Sequence, residues 1–203
     1  MDVHIEHLCK AYDGKSVLEN VSFTAAAGRV TCIMAPSGRG KTTLLRILLG
    51  LERADSGTVT LPEHCRWSAV FQEDRLLEHL DAMGNLRFVL GGALDGAAAG
   101  RLLAELGLGD TAGKPVREFS GGMKRRLALA RALLAPFDLL ALDEPFTGLD
   151  GDNRDRAWRC VLDRTAGRTV LLVSHELPPA GEVDLVCCDF SPGTGNRKKT
   201  VVQ

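Results

Sequence analysis

No charge of one sign dominates this chain. Its 203 residues carry 25 basic and 26 acidic side chains, a formal charge of −1, so it projects no global field that would draw it to a nucleic-acid backbone. No CxxC pair occurs among its six cysteines, Cys9, Cys32, Cys65, Cys160, Cys187 and Cys188. Their density is far below that of a small disulfide scaffold, and they read as reduced thiols, most of them in apolar runs. The first residues, MDVHIEHLCK, lack a basic start followed by an apolar segment, and no run of apolar residues approaches the length of a spanning helix. The expectation is a soluble, cytoplasmic chain. No internal repeat is present.

What the chain does have is a hydrophobic content of 45%, enough for one sizeable core and a tight fit for a second full domain. Polar and apolar residues nearly alternate in DVHIEHLCKAY and SVLENVSF, and GRVTCIMA follows a turn at Gly28. These read as strands at about 3–10, 17–24 and 29–35. From Lys41 to Leu51 the apolar residues surround the helical circumference, which suits a helix buried on most sides. GTVTL and WSAVFQ are the next strand candidates.

From about residue 76 to 118 alternation gives way to leucines at helical spacing, interrupted by GGALDGAAAG, which reads as a flexible segment within a small helical lobe. Further helices are expected in GGMKRRLALARALL and RDRAWRCVLDRT, and buried strands in FDLLALDEP, RTVLLVSHE and, as the last strand, VDLVCCDF. Apolar strands without alternation, separated by helices, indicate a parallel sheet covered on both faces. The end, SPGTGNRKKTVVQ, reads as loosely held.

Chemistry is concentrated in short stretches. In APSGRGKTTLLRILLG, residues 35–50, Gly38 and Gly40 let consecutive backbone N–H groups curl around phosphate oxygens. Ser37, Arg39 and Thr43 complete that cradle, Lys41 adds a cation over the outer phosphates, and the Thr42 hydroxyl suits Mg²⁺. The usual phosphate-loop pattern begins with glycine; Ala35 stands there, a change that a residue ending a strand with negative φ tolerates. In LLALDEP four apolar residues bury a strand and Asp143 emerges at its carboxyl end, where open α/β sheets bind ligands. Asp143 suits the Mg²⁺ shell, and Glu144, one residue later, is placed to polarise a water for attack on a γ-phosphate. Ser120, Gly121 and Gly122 open a helix and present free N–H groups with a hydroxyl, a second anion site that implies a second molecule.

Taken together these stretches resemble the nucleotide-binding subunit of an ABC (ATP-binding cassette) transporter over nearly the whole chain. FSGGM at 119–123 resembles the family's signature, VFQEDRLL its loop with Gln72, TGLD its loop with Asp150, and LLVSHE its switch strand with His175. Tyr12 matches the aromatic that stacks on adenine. The resemblance implies a P-loop NTPase of α/β class: a RecA-like parallel core sheet, an antiparallel N-terminal β subdomain and a helical subdomain. It implies a single domain over 1–203, with core at about 1–75 and 119–203 and the helical subdomain at about 76–118.

It also implies ATP and Mg²⁺ as ligands, Glu144 as general base, His175 as γ-phosphate sensor, and Gln72 on Mg²⁺ and water. Two subunits would meet head to tail, so that the signature of one, with Ser120 and Gly122, covers the ATP of the other; Gly121 and Asp150 are further nucleotide-binding residues. Integral membrane permease subunits, an extracytoplasmic solute-binding protein and a location on the inner face of the membrane follow from the same likeness, with no nucleic-acid partner. Met123 and VFQEDRLL resemble the importer subunits for nitrate, sulfonate and taurine. The alternative, a clamp-like ABC ATPase working on DNA or the ribosome, usually carries long coiled coils or two fused cassettes, and this chain has neither. Leu76, Leu77 and Leu80, beside Gln72, suit a groove for a short helix of the permease.

Other features read as structural. In a regular strand His4 points away from His7 and Cys9, which argues against a metal cluster, and Cys187 and Cys188 likewise face opposite sides. KRR at 124–126 reads as a solvated helix face. His175-Glu176 lacks the second histidine of HExxH.

Overall fold

The computed structural model of the chain describes residues 2–34, 40–179, 182–187 and 197–202. In chain order the elements are β1 (Val3–Tyr12), β2 (Lys15–Ala25), β3 (Val30–Met34), α1 (Lys41–Leu48), β4 (Ser56–Thr60), β5 (Trp67–Val70), α2 (Ala82–Leu90) and α3 (Gly96–Glu105). They continue with α4 (Gly121–Leu134), β6 (Leu139–Asp143), α5 (Gly151–Arg164), β7 (Thr169–Ser174), β8 (Glu182–Cys187) and β9 (Arg197–Val202). The chain divides into two compact units, one of residues 1–67, 137–144 and 167–203, the other of residues 68–136 and 145–166.

The first unit holds two sheets. In one, β1 lies between β2 and β4, antiparallel to both. Its alternation breaks after Ile5: Val3, Ile5 and Leu8 are the buried residues, and the register with β2 shifts between Ile5 and Leu8, then again between Leu8 and Lys10 and between Lys10 and Ala11. A β-bulge takes up the extra residue, with His7 at φ 51. Gly57 on β4 makes room for it, since a Cβ there would lie 2.5 Å from the His7 carbonyl oxygen. Strict alternation for His4 and His7 is therefore corrected: both are exposed, His4 beside Thr24 and His7 with Nδ1 2.7 Å from Asn20 Oδ1.

The other sheet of this unit runs β6-β7-β3-β8-β9. β7 is parallel to both β6 and β3, and β3 is parallel to β8. Every residue of β6 and β7 is buried, as expected for strands covered on both faces. β8 is not the last strand. Residues 197–202 of the tail pair antiparallel with it, from Cys187 opposite Arg197 to Glu182 opposite Val202. An uncovered β8 would present an open edge, and TVV has the β-branched character that an added strand favours. Cys188 lies outside the described residues.

The second unit is mainly helical, and side-chain caps start its helices. Asp81 accepts from Gly84 N at 2.7 Å at α2, and Asp95 from Ala97 N and Ala98 N at 2.9 and 3.1 Å at α3. The Asp95 cap accounts for a difference from the expected flexible segment: GAAAG at 96–100 is the first half of α3. Once a cap satisfies the first amides, alanines are the best helix formers. Those two N–H bonds, from Ala98 and then Ala97, hold the Asp95 carboxyl below its ordinary range. Trp158 on α5, 1% exposed, meets Phe146 edge to face at 5.8 Å between ring centroids.

Candidate functional site

Of the phosphate loop, Ser37, Gly38, Arg39 and Ala35 lie outside the described residues; Gly40, Lys41, Thr42 and Thr43 are described. Gly40 precedes α1 at φ 82 and supplies no side-chain cap. A Cβ on it would lie 2.7 Å from the Val17 carbonyl oxygen of β2, so only glycine fits at this position. Gly40 is thus seated against β2 immediately before Lys41 and Thr42 at the start of α1.

Both side chains meet the end of β6. Thr42 Oγ1 donates to Asp143 Oδ2 at 2.7 Å, across 101 residues of sequence, and Asp143 is 1% exposed. A buried carboxylate beside a hydroxyl is an all-oxygen pair of the kind that suits a hard divalent cation. Lys41, also buried, places Nζ 3.6 Å from Glu144 Oε1, while the other carboxylate oxygen of Glu144 lies 2.8 Å from His175 Nδ1. Glu144 has φ 48, a left-handed conformation that costs a non-glycine residue about 1–3 kcal/mol. Its N–H donates to the Val173 carbonyl of β7 at 2.9 Å, which holds it there. His175, just beyond β7, is exposed, with Nε2 3.8 Å from Glu176 Oε1.

The first unit thus gathers Lys41, Thr42, Asp143, Glu144 and His175 into one cluster. It can bind an anion at Lys41, hold a cation at Thr42 and Asp143, and orient a carboxylate between an ammonium and an imidazole. Tyr12 ends β1 with its ring 41% exposed and the Lys10 ammonium 5.1 Å from its centroid.

In the second unit Ser120, Gly121, Gly122 and Asp150 line one cavity of about 510 Å³. Ser120 Oγ accepts from Met123 N at 3.3 Å and caps α4; Asp150 Oδ1 accepts from Asn153 N at 2.9 Å and caps α5. The Asn153 amides, backbone first, keep the Asp150 carboxyl below its ordinary range. A Cβ on Gly122 would lie 3.2 Å from the Gly148 carbonyl oxygen, whereas one on Gly121 would meet nothing within 4 Å. Gly122 therefore serves packing, and Gly121 leaves the surface of the cavity bare. Gln72, exposed, belongs to this unit and does not line that cavity. Leu76, Leu77 and Leu80 are half-buried.

Sequence reading missed the arginines that hold these loops. Arg125 and Arg126, expected on a solvated face, are 6% and 8% exposed. Arg126 donates to the carbonyls of Leu106 at 2.6 Å, Gly107 at 3.2 Å and Gly122 at 3.2 Å, and to Asn153 Oδ1 at 3.0 Å. Asn153 Nδ2 in turn donates to Asp150 Oδ2 at 2.8 Å, so one guanidinium ties the opening of α4 to the cap of α5. The physical reason is the rigid five-donor fork of arginine, which satisfies several buried carbonyls at once. Arginine in place of lysine was the available signal, but the identity of the acceptors was not.

A family profile described as ABC transporter matches residues 18–147. The chain belongs to that family. Among its relatives are three aliphatic sulfonates import ATP-binding proteins. That of Streptomyces avermitilis is 38% identical over 88% of this chain and 68% of its own length. The Cupriavidus necator protein is 38% identical over 88% and 62%, and the Delftia acidovorans protein 39% identical over 86% and 73%. A solved chain from Pyrococcus furiosus, described as an ABC transporter ATP-binding protein, superposes with a TM-score of 0.78 over 87% of this chain and 92% of its own, at 24% identity, and shares the fold. The α/β architecture inferred from the sequence is therefore that of an ABC ATPase, an enzyme that binds and hydrolyses ATP. Among the described residues no helix is long and apolar enough to cross a membrane.

Proposed function

We propose that this ABC ATPase energises import of a sulfonate-like solute through a separate membrane permease, working as a head-to-tail homodimer on the inner face of the membrane. The observation that carries the reading is the convergence of Lys41, Thr42, Asp143, Glu144 and His175 from three separate stretches of sequence. Lys41 and the loop amides around Gly38 and Gly40 bind the outer phosphates, and Tyr12 stacks on adenine. Thr42 and Asp143, with Gln72, hold Mg²⁺, which when bound neutralises charge developing on the phosphates. Glu144 takes the proton of the attacking water through Oε1 or Oε2, and His175 fixes the plane of that carboxylate. Ser120, Gly121, Gly122 and Asp150 face the nucleotide of the partner subunit, where the uncapped space over Gly121 leaves room for a phosphate to approach.

The solute class rests on the names of the relatives above; the import role in those names supports a permease and a solute-binding protein as partners. The permease would dock beside Gln72, along residues 73–86. The shared site has a direct test. A Lys41→Ala chain keeps its signature and a Ser120→Arg chain keeps its phosphate loop, so mixing the two inactive proteins rebuilds one composite site per heterodimer. Partial recovery of ATPase activity is expected. No recovery from two folded, dimer-forming mutants would argue for sites built within one chain.

A further inference from the structure

The turn that carries Gln72 is gripped by its backbone from one helix. Arg125 of α4 donates Nη1 to the Phe71 carbonyl at 2.6 Å and Nη2 to the Gln72 carbonyl at 2.8 Å. The same Nη1 lies 3.1 Å from Asp74 Oδ1, an ion pair of which the arginine side chain is 7% exposed. Further along α4, Arg131 donates Nη1 to the Arg75 carbonyl at 2.7 Å and Nη2 to the Asp74 carbonyl at 2.8 Å. Four carbonyls within five residues therefore accept from two guanidinium forks. The turn also closes on itself: Arg75 has φ 48 and its guanidinium lies 4.4 Å from the centroid of the Phe71 ring.

Carbonyls in a turn outside helix and strand have no ladder to bond with, and here the helix supplies charge-assisted donors in their place. A fork fixes two carbonyls at once, and so fixes orientation as well as distance; a lysine ammonium has no such geometry. Gln72 itself remains exposed, so its backbone is held while its side chain is available.

We infer that Arg125 and Arg131 are positioning residues that make residues 71–75 a rigid arm of α4, so that the helix opened by Ser120 sets where Gln72 points. The arm rests, for its consequence on turnover, on the reading of Gln72 as a ligand-sensing residue. Under that reading a tilt of α4 on closure of the dimer carries Gln72 with it, without a flexible joint between them.

Backbone order parameters of the nucleotide-free, full-length protein test the arm itself. Amides of Gln72–Arg75 should show the value of rigid backbone, about 0.85, and fall below about 0.6 in Arg125→Lys. That variant keeps a cation beside Asp74; Arg131→Lys, at the half-buried end of the arm, is the second variant should the first not fold. If the loosened turn presents Gln72 correctly in about a tenth of molecules, kcat for Mg-ATP drops about tenfold while KM for ATP stays within about threefold. Adding Arg125→Lys to Gln72→Ala should then slow the enzyme no further. Unchanged order in both lysine variants, or low order in the wild type, overturns the arm. Lowered order with wild-type turnover, in an enzyme that Gln72→Ala does slow, overturns the positioning role. Wild-type turnover of Gln72→Ala would remove the reading of Gln72 and leave the arm to be judged by its order parameters.

Discussion

Replacing Gly40 by alanine puts a methyl group against Val17 and Leu18 of β2. At φ 82 an L-residue is strained by roughly 1–2 kcal/mol. The new Cβ would also lie 2.7 Å from the Val17 carbonyl oxygen and 2.8 Å from both Val17 Cγ1 and Leu18 Cδ2. Val17 lies at a register shift of β2, but its neighbours Leu18 and Ser16 are in register with Lys10 and Ala11, which limits how far its carbonyl can retreat. Overpacking of this kind adds about 1–3 kcal/mol. The sum, roughly 2–5 kcal/mol, is a large part of the 5–15 kcal/mol that holds an ordinary domain together. It must appear in one of two places. If α1 stays where it is, the urea midpoint falls by about 1–2.5 M, taking a slope of about 2 kcal/mol/M. If the start of α1 shifts to relieve the contact, Lys41 and Thr42 move with it, and ATP affinity falls by more than about tenfold at 1.4 kcal/mol per decade. Gly50→Ala is the control: φ is 69 there but nothing lies within 4 Å of a Cβ, so it should show the conformational strain alone. A Gly40→Ala protein with both wild-type midpoint and wild-type affinity would refute the reasoning.

Glu144→Gln should keep ATP binding, lower turnover by roughly 10² to 10⁴, and accumulate as an ATP-bound dimer in light scattering; a monomer with wild-type hydrolysis would take the role of base from Glu144. Arg126→Met, which leaves the carbonyls of Leu106 and Gly107 without this donor, should destabilise the protein by roughly 2–4 kcal/mol in urea unfolding. Asp138 is held at about 2, chiefly by its hydrogen bonds from the Arg66 side chain and then from Arg66 N–H. A depressed carboxylate stabilises the fold above its unfolded value of 3.8 and loses that contribution as pH falls through about 2. Asp138→Asn should accordingly melt below the wild type at about pH 5 and converge with it as pH drops toward about 2, the folded-state value; parallel curves would exclude this pair as a source of acid lability.

Much of this protein is legible in its sequence because the signals are local. A wholly apolar LLAL followed by Asp143 and Glu144 marks a covered strand ending at a ligand face. Ser120 with its two glycines announces the opening of a helix, and lysine and threonine after a glycine loop announce a phosphate cradle; the cap that Asp150 puts on α5 was not read. What these strings cannot carry is which distant groups they meet. Glu144 lies between Lys41 and His175 only because parallel pairing of β6 with β7 and of β7 with β3 brings the same ends of three strands together. The bulge in β1 was invisible to a period of two because the space it needs, over the bare Cα of Gly57, lies on another strand. Residues 197–202 are a strand because β8 has an edge to cover, and GAAAG is helical because Asp95 caps it. Above all, Arg125 and Arg126 look solvated in a list of residues. Their burial depends on carbonyls in loops 20 or 54 residues away, and only tertiary structure could decide that charged side chains, rather than apolar ones, would fill those places.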